Sequence, residues 1–357
     1  MGVPDSKGIT ANSRSSYIDV ARGICMICIV LGHQGNPFIN RFVFTFHLPV
    51  FFIITGYFFN PKTSFKDLVI KRSRGLIIPY FFACACILAS YYSISTFILH
   101  SDHTNVILWM KRIVKSVFWG AGDSWEKPFE IPGIGAIWFL WATFWACLIF
   151  YFLLKLSPVK RALIICGLFI FARWSVNNIG FAPLSIQPAL SALLFIYVGY
   201  LWRQNELEIK KTPVSVRALA GVFASLLWIQ FIYEFKSFWL VHSDYGRGFM
   251  DVISSIAASF LVLAISYVAD KKLGRLLAPI RMLGRYSIIA LCAHIIEMNS
   301  FPWGNITNAI LGENSPYVKT LYLKILLKLC WIFLITFILS RFNITRKIFN
   351  LKGRKNG

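Results

Sequence analysis

The sequence predicts an all-α fold: a polytopic integral membrane bundle of about ten transmembrane helices, with both termini cytoplasmic. Three observations predict it. Of 357 residues, 57% are hydrophobic and only 15% are charged, whereas soluble domains have about a quarter charged. Apolar runs of about 20 residues recur from end to end. Basic residues gather in alternate connecting segments, as the positive-inside rule requires. Backbone groups in lipid must be satisfied internally, which leaves helices or a closed barrel. The runs are too long and too continuously apolar for barrel strands.

Residues 1–16 are polar and read as a cytoplasmic tail. The first apolar run carries Asp19 and Arg22 and has no small-residue cleavage site, so it reads as a retained span rather than a signal peptide. Hydropathy places spans near 17–34, 42–59, 76–98, 137–154, 162–176, 184–202, 214–235, 249–268, 284–300 and 320–340. The fifth is the shortest. Residues 17–340 thus form one membrane domain, and 341–357 form a basic cytoplasmic tail. Lys62 to Arg74, Lys155 to Arg161, Arg203 to Lys211 and Lys271 to Arg285 supply basic clusters to the inner segments. The segment 99–136 reads as one long outer loop rich in aromatic and polar groups. Long loops in compact folds are functional or disordered. Its tryptophans suit either a sugar ring or the interfacial aromatic belt.

The net charge of +22 raises nucleic acid as a partner. The charge sits in short segments between spans, and no basic stripe with interleaved aromatics occurs on a soluble module, so nucleic acid is excluded. The eight cysteines all fall in apolar runs. Cys25-x-x-Cys28 lacks the βαβ context of a redox motif and reads as small hydrophobes in a helix.

Ionisable groups are costly inside a membrane, and their default reading is functional. Arg22 and His33 are eleven residues apart, about three helical turns, so they share a face about 16 Å apart along the axis. Met26 and Ile29 lie between them, and Asp19 can pair with Arg22. Snorkelling of Arg22 and an interfacial place for His33 are the bland alternatives. His47 opens the second run, where Pro49 is expected to break the hydrogen-bond ladder and open space beside it. Gly56 permits close helix packing. His294 and Glu297 stand one turn apart in the ninth run. The sequence has no nucleophile elbow, Walker loop or zinc-protease motif. The histidines give no closed metal-ligand set. Histidine acid–base chemistry inside a membrane bundle remains.

At these residues the chain resembles the membrane-bound acyltransferase 3 family, and most closely its short bacterial O-antigen, capsule and exopolysaccharide O-acetylases. Asp19, Arg22-Gly23 and His33 match the family's opening signature. Phe46-His47-Leu48-Pro49-Val50-Phe51-Phe52 through Thr55-Gly56-Tyr57-Phe58-Phe59 matches its second, with Thr55 where Ser is more usual. The run KRSRGLIIPY offers Lys71-x-x-Arg74 where the family often has two arginines. Trp138-Phe139-Leu140 and Gly284-Arg285-Tyr286-Ser287 are further, weaker matches.

The resemblance implies an enzyme of the cell (inner or plasma) membrane that moves an acyl group, acetyl by default, from cytoplasmic acetyl-CoA. The acceptor would be a hydroxyl of a surface polysaccharide or a lipid-linked glycan. His33 would act as general base or transient acyl carrier, Arg22 would orient the donor, and His47 would tune His33 or stabilise the oxyanion. Lys71, Arg72, Arg74 and Arg285, with Arg281, are the cations available for coenzyme A phosphates. Trp125, Glu126, Trp138, His294 and Glu297 are acceptor-side candidates, and no metal is expected. The rival class is a non-enzymatic flippase of a lipid-linked sugar, whose path would also be lined by membrane histidines and arginines.

Overall fold

The computed structural model describes residues 15–351, so most of the expected tail 1–16, and residues 352–357 of the expected tail 341–357, lie outside the described residues. Among those residues the chain is helical, and the one β contact is an isolated bridge, Trp125 to Ile131. Seven helices are long and apolar enough to cross a membrane by length and composition. Two shorter apolar helices, Trp138–Leu153 and Ser287–Ser300, accompany them. Helical segments occupy each of the ten apolar runs.

The first helix, α1 (Ser16–Gly32), ends just before His33. Asn36 then caps α2 (Pro37–Val43), its side chain accepting from the amides of Phe38 and Ile39 at 3.0 and 3.1 Å. The chain breaks at residues 44–46 and resumes as α3 (His47–Tyr57). This break replaces the continuous span expected over 42–59. It also relocates the cause: Pro49 sits in the first turn of α3, where its missing N–H would be unsatisfied in any case. Thr45 stabilises the break. Its hydroxyl donates to the Phe42 carbonyl at 2.6 Å and accepts from the Trp228 indole at 2.9 Å.

Ser64 caps α4 (Phe65–Arg72), which runs through a π-helical turn, Ser73–Ile77, into α5 (Ile78–Ser93). The expected loop 99–136 is not irregular throughout, because α6 (His103–Trp119) occupies its first half. Val106, Trp109, Ile113 and Val117 recur at helical spacing and face the core. Lys111, Arg112 and Lys115 lie on the exposed face. The second half, up to α7 (Trp138–Leu153), is an ordered plug. Trp125 and Ile131 exchange two 2.8 Å backbone bonds, and Ile134 and Gly135 donate to Ala121 and Gly122.

Beyond it come α8 (Pro158–Ile179), longer than the expected 162–176, then α9 (Ile186–Gln204), α10 (Glu206–Lys211) and α11 (Val214–Tyr233). The chain continues with α12 (Phe249–Leu273), α13 (Ala278–Arg285) and α14 (Ser287–Ser300). It closes with α15 (Trp303–Leu311), α16 (Tyr317–Leu339) and α17 (Asn343–Ile348). The last is a short basic helix within the expected basic tail 341–357.

Burial separates centre from rim. The apolar window of Pro37–Tyr57 is 61% buried, against 6% for α11 and 17% for α16. The rim helices present apolar side chains outward, as lipid-facing helices do. Two glycine crossings hold the centre. A Cβ on Gly56 would strike the Ile196 carbonyl, and one on Gly199 would strike that of Ile53, so α3 and α9 touch backbone to backbone. In the same way Gly23 meets Ile280, and Gly284 meets the Asp19 backbone, fixing α1 against α13. The two helices that carry Arg22, His33 and His47 are therefore the most tightly seated.

Candidate active site

His33 follows the last residue of α1. Its amide donates to the Ile29 carbonyl at 3.3 Å, and its Nδ1 reaches the same oxygen at 2.7 Å. A carbonyl only accepts, so Nδ1 carries the proton and Nε2 is left as the basic lone pair. The His294 ring lies edge-on to it with centroids 5.1 Å apart, and His294 Nε2 is 3.4 Å from His33 Nδ1. His294 Nδ1 meets Glu297 Oε1 at 2.7 Å. That carboxylate holds the proton on His294 Nδ1, so His294 Nε2 turns its lone pair toward the His33 Nδ1–H, whose nearer acceptor is the Ile29 carbonyl. The Ile29 carbonyl fixes the tautomer of His33, and a carboxylate–imidazole pair stands behind its ring.

Glu297 is satisfied on both oxygens. The Trp303 indole donates to Oε2, and Lys328 Nζ stands 3.6 Å from Oε1. Both Glu297 and His294 are fully buried and Lys328 is 5% exposed. His294 and Glu297 were expected on the acceptor side. The structure places them instead behind His33, packed inside the bundle. Lys328 was missed, although the rule that singled out His294, an ionisable group within an apolar run, applies equally to it.

His33 and His47 line one chamber of about 410 Å³, with Trp138, Asp123 and Trp239. His47 Nδ1 donates to the Val43 carbonyl at 2.5 Å across the break. While neutral, His47 therefore offers the chamber a lone pair and has no N–H left for an oxyanion. Trp138, another acceptor-side candidate, is 3% exposed and forms a wall of this chamber.

A narrower cavity of about 150 Å³ contains Arg22, Met26, Ile29, Thr55 and Arg72. It shares Leu48 and Ala136 with the histidine chamber, so the two meet at those side chains. Arg22 and His33 thus line two neighbouring cavities, along the α1 face that carries Met26 and Ile29. Arg72, just before the π-helical turn, keeps a buried Nε–H with no acceptor among the described residues. Lys71, Arg74 and Arg285 are exposed and line neither cavity. Arg281 is held by Asp270 at 2.8 Å.

Above the chamber, Asp123 Oδ2 meets His242 Nε2 at 2.8 Å. The His242 hydrogen bond, opposed by partial burial, holds the Asp123 carboxyl below its usual range. This pair bridges the plug to the loop before α12. Beyond it lies an outer cavity of about 860 Å³, lined by Trp125, His242, Arg41, Arg173 and Lys236. It shares Asn40 and Trp239 with the chamber. Trp125 stacks on Phe181 at 4.5 Å. Glu126 is exposed and lines neither space. His242 escaped the sequence reading because a histidine in a short polar loop carries no signal until its partner 119 residues away is known. Among the described residues no cluster of His, Cys, Asp or Glu could hold a metal ion.

Residues 15–342 match the family described as "Acyltransferase domain". The Nodulation protein NolL of Mesorhizobium japonicum is 25% identical over 280 residues, covering 71% of this chain and 67% of that protein. The Nodulation protein NolL of Sinorhizobium fredii is 25% identical over 255 residues, covering 65% of this chain and 62% of that protein. The chain therefore spans about two thirds of either relative's length.

Proposed function

The chain belongs to the acyltransferase 3 family and is an acyltransferase; from that premise we propose that it transfers acetyl from acetyl-CoA to a sugar hydroxyl across the thickness of the bundle. The acceptor is a surface polysaccharide or its lipid-linked precursor. The observation that carries this reading is the meeting of the two cavities at Leu48 and Ala136. An arginine-bearing cavity borders there on a chamber with a base of defined tautomer.

In this reading ten spans cross the cell membrane and both termini face the cytoplasm. Coenzyme A binds at the Arg22 end, where Arg72 meets a phosphate or the pantetheine arm with its unpaired Nε–H. Lys71, Arg74 and Arg285 contribute long-range attraction rather than contacts in the passage. The arm runs along Met26 and Ile29 and brings the thioester to the chamber. The acceptor arrives from the outer cavity.

His33 Nε2 takes the hydroxyl proton as the oxygen attacks the thioester carbonyl. The C–S bond breaks, the sulfur leaves as thiolate, and the proton on His33 passes to it. An ester and free coenzyme A result. Glu297, through His294, keeps the His33 ring oriented and offsets its charge while it holds the proton. His47 accepts from the incoming hydroxyl or a bridging water. Membership in the family favours this transferase over a flippase.

The test is transfer in membrane vesicles supplied with labelled acetyl-CoA on the Arg22 side. Label is expected to reach glycan with the native chain and to be lost with His33→Ala and Arg22→Ala at normal abundance. Undiminished transfer by His33→Ala would overturn the assignment.

A further inference from the structure

The chamber that holds His33 is unbalanced in its hydrogen-bonding groups. His33 and His47 each offer it an Nε2 lone pair, because both Nδ1–H groups are spent on carbonyls. Asn40 lines the same chamber, and its Oδ1 is buried with no donor among the described residues. Asp123 adds a carboxylate. Its oxygens accept from the Ser124 amide and from His242 Nε2, both at 2.8 Å, yet its side chain is 45% open. Each carboxylate oxygen has a second lone pair, so the bridge to His242 does not exhaust it. Four acceptors thus border one space of about 410 Å³. A ligand that satisfies them must bring several donors, and a carboxylate or phosphate would bring only more acceptors.

Asp123 is also held in place. Its plug is closed by the bonds from Ile134 and Gly135 to Ala121 and Gly122, at 3.0 and 3.1 Å, and by one from the Gly133 amide to the Ser124 hydroxyl at 3.3 Å. A Cβ on Gly133 would stand 2.6 Å from Asp123 Cα, and one on Gly122 would strike the Trp138 ring. The two glycines let these backbones close up, so the carboxylate projects from a pinned backbone and not from a free loop. His242 is fixed from its own side. Trp239 and Asp244 exchange two 3.0 Å backbone bonds around it, and its amide donates to the Trp239 carbonyl at 2.9 Å. Asp123 lies near enough to His33 for the two to interact electrostatically.

We propose that Asp123 binds the acceptor sugar, taking a hydrogen bond from the hydroxyl beside the one that reacts, and so decides which hydroxyl His33 deprotonates. His242 acts through Asp123 as a positioning residue that fixes the plane of the carboxylate. The inference rests on the proposed transferase reading and deepens it. The sugar unit in the chamber is neutral and presents at least two hydroxyls close together. One donates to His33 Nε2 and attacks the thioester. The other donates to Asp123 and keeps its proton, so Asp123 neither makes nor breaks a bond in the transfer.

A bridge that only stapled the plug would behave differently, and substitution separates the two roles. Asp123→Asn can keep both bonds of the bridge, its oxygen on the Ser124 amide and its nitrogen donating to His242 Nε2 in the other tautomer. It replaces the charged acceptor offered to the sugar while leaving the staple. The full chain is assayed in vesicles of the expressing cells, with their own glycan and labelled acetyl-CoA on the Arg22 side. Label in glycan and label in free acetate are counted separately, and the acetylated hydroxyl is located by NMR. Asp123→Asn should lower glycan label about ten- to hundredfold relative to free acetate, the loss of one charge-assisted hydrogen bond. The acetyl that remains should spread over more than one hydroxyl. His242→Gln, which keeps a donor for Asp123, should recover transfer lost in His242→Ala. Native glycan label at the native hydroxyl in Asp123→Asn would overturn the proposal. Equal losses in Asp123→Asn and His242→Ala, with the acetylated hydroxyl unchanged, would also overturn it and leave the bridge a staple. The native control reports on the transferase reading by itself. A native chain that puts no label in glycan removes that reading and this inference with it, whereas native transfer that Asp123→Asn leaves unaltered removes this inference alone.

Discussion

Replacing Glu297 by Gln tests whether His33 is governed from behind. The carboxylate oxygens face three donors: His294 Nδ1–H, the Trp303 indole and Lys328. A carboxylate can accept from all of them, but an amide has one oxygen and must turn its nitrogen toward a donor. If that donor is His294, its tautomer flips and the lone pair facing His33 is lost. A charge-assisted hydrogen bond contributes about 1.5–3 kcal/mol. At about 1.36 kcal/mol per decade of rate, kcat/KM should fall roughly 10- to 150-fold. Removing one member of a buried ion pair also costs stability, about 3–5 kcal/mol at most, through the stranded Lys328. The assay is therefore initial acetyl transfer in vesicles, normalised to folded protein measured by fluorescence-detected size exclusion. Glu297→Gln with Lys328→Met removes both charges and should recover abundance without recovering rate. A Glu297→Gln rate within threefold of native at normal abundance would refute the relay. Recovery of rate in the double variant would show that the charge, not the imidazole orientation, had mattered.

Ala136→Trp should close the neck between the two cavities and abolish transfer to glycan. Photolabelling by a coenzyme A analogue at the Arg22 end should persist, and loss of both would argue against a passage. Gly199→Leu drives a side chain into the Ile53 carbonyl and should lower the abundance of folded protein, a loss seen directly on size exclusion. Asp123 has a carboxyl held low by His242, so its contribution to folding is present above the unfolded carboxylate range, near pH 3.8, and is lost as pH falls through the lowered value. His242→Ala should move the acid edge of thermal stability upward, toward that pH. An unmoved edge would show that the bridge carries no such linkage.

What could be read in the sequence was whatever depends on near neighbours. The shared face of Arg22 and His33 follows from eleven residues of helical phase, and the helical segments follow from hydropathy. The sequence points to Pro49 as the place where the hydrogen-bond ladder breaks, whereas the break lies at residues 44–46, before His47. A proline in a first helical turn disrupts nothing, and the break is stabilised by Thr45 and Trp228, 183 residues apart. The amphipathic α6 falls in a segment read as a loop for its aromatic and polar groups, although Val106, Trp109, Ile113 and Val117 carry a helical period. The roles of His294 and Glu297 were not legible at all. Their one-turn spacing puts them side by side, but only the packing of α14 against α1 brings His294 within 3.4 Å of His33, 261 residues away.

The arrangement also bears on why such a site sits inside a bundle. A thioester held beside a base is open to water as well as to sugar, so transfer requires that water be scarce where the thioester waits. A donor arm filling the passage of about 150 Å³ would plug the chamber from one side. From the other side, the Asp123–His242 bridge, Trp239 and the plug segment separate the chamber from the larger outer cavity. An acceptor must displace or slip past these groups to reach His33, and in doing so it occupies the space that water would take. On the proposed reading, specificity for sugar over water would reside in the outer wall and not in His33, which would accept a proton from either. Loosening that wall with Trp239→Ala should raise thioester hydrolysis relative to transfer while leaving the base intact. A variant that slowed both equally would instead make Trp239 a binding surface and leave the exclusion of water to the acceptor itself.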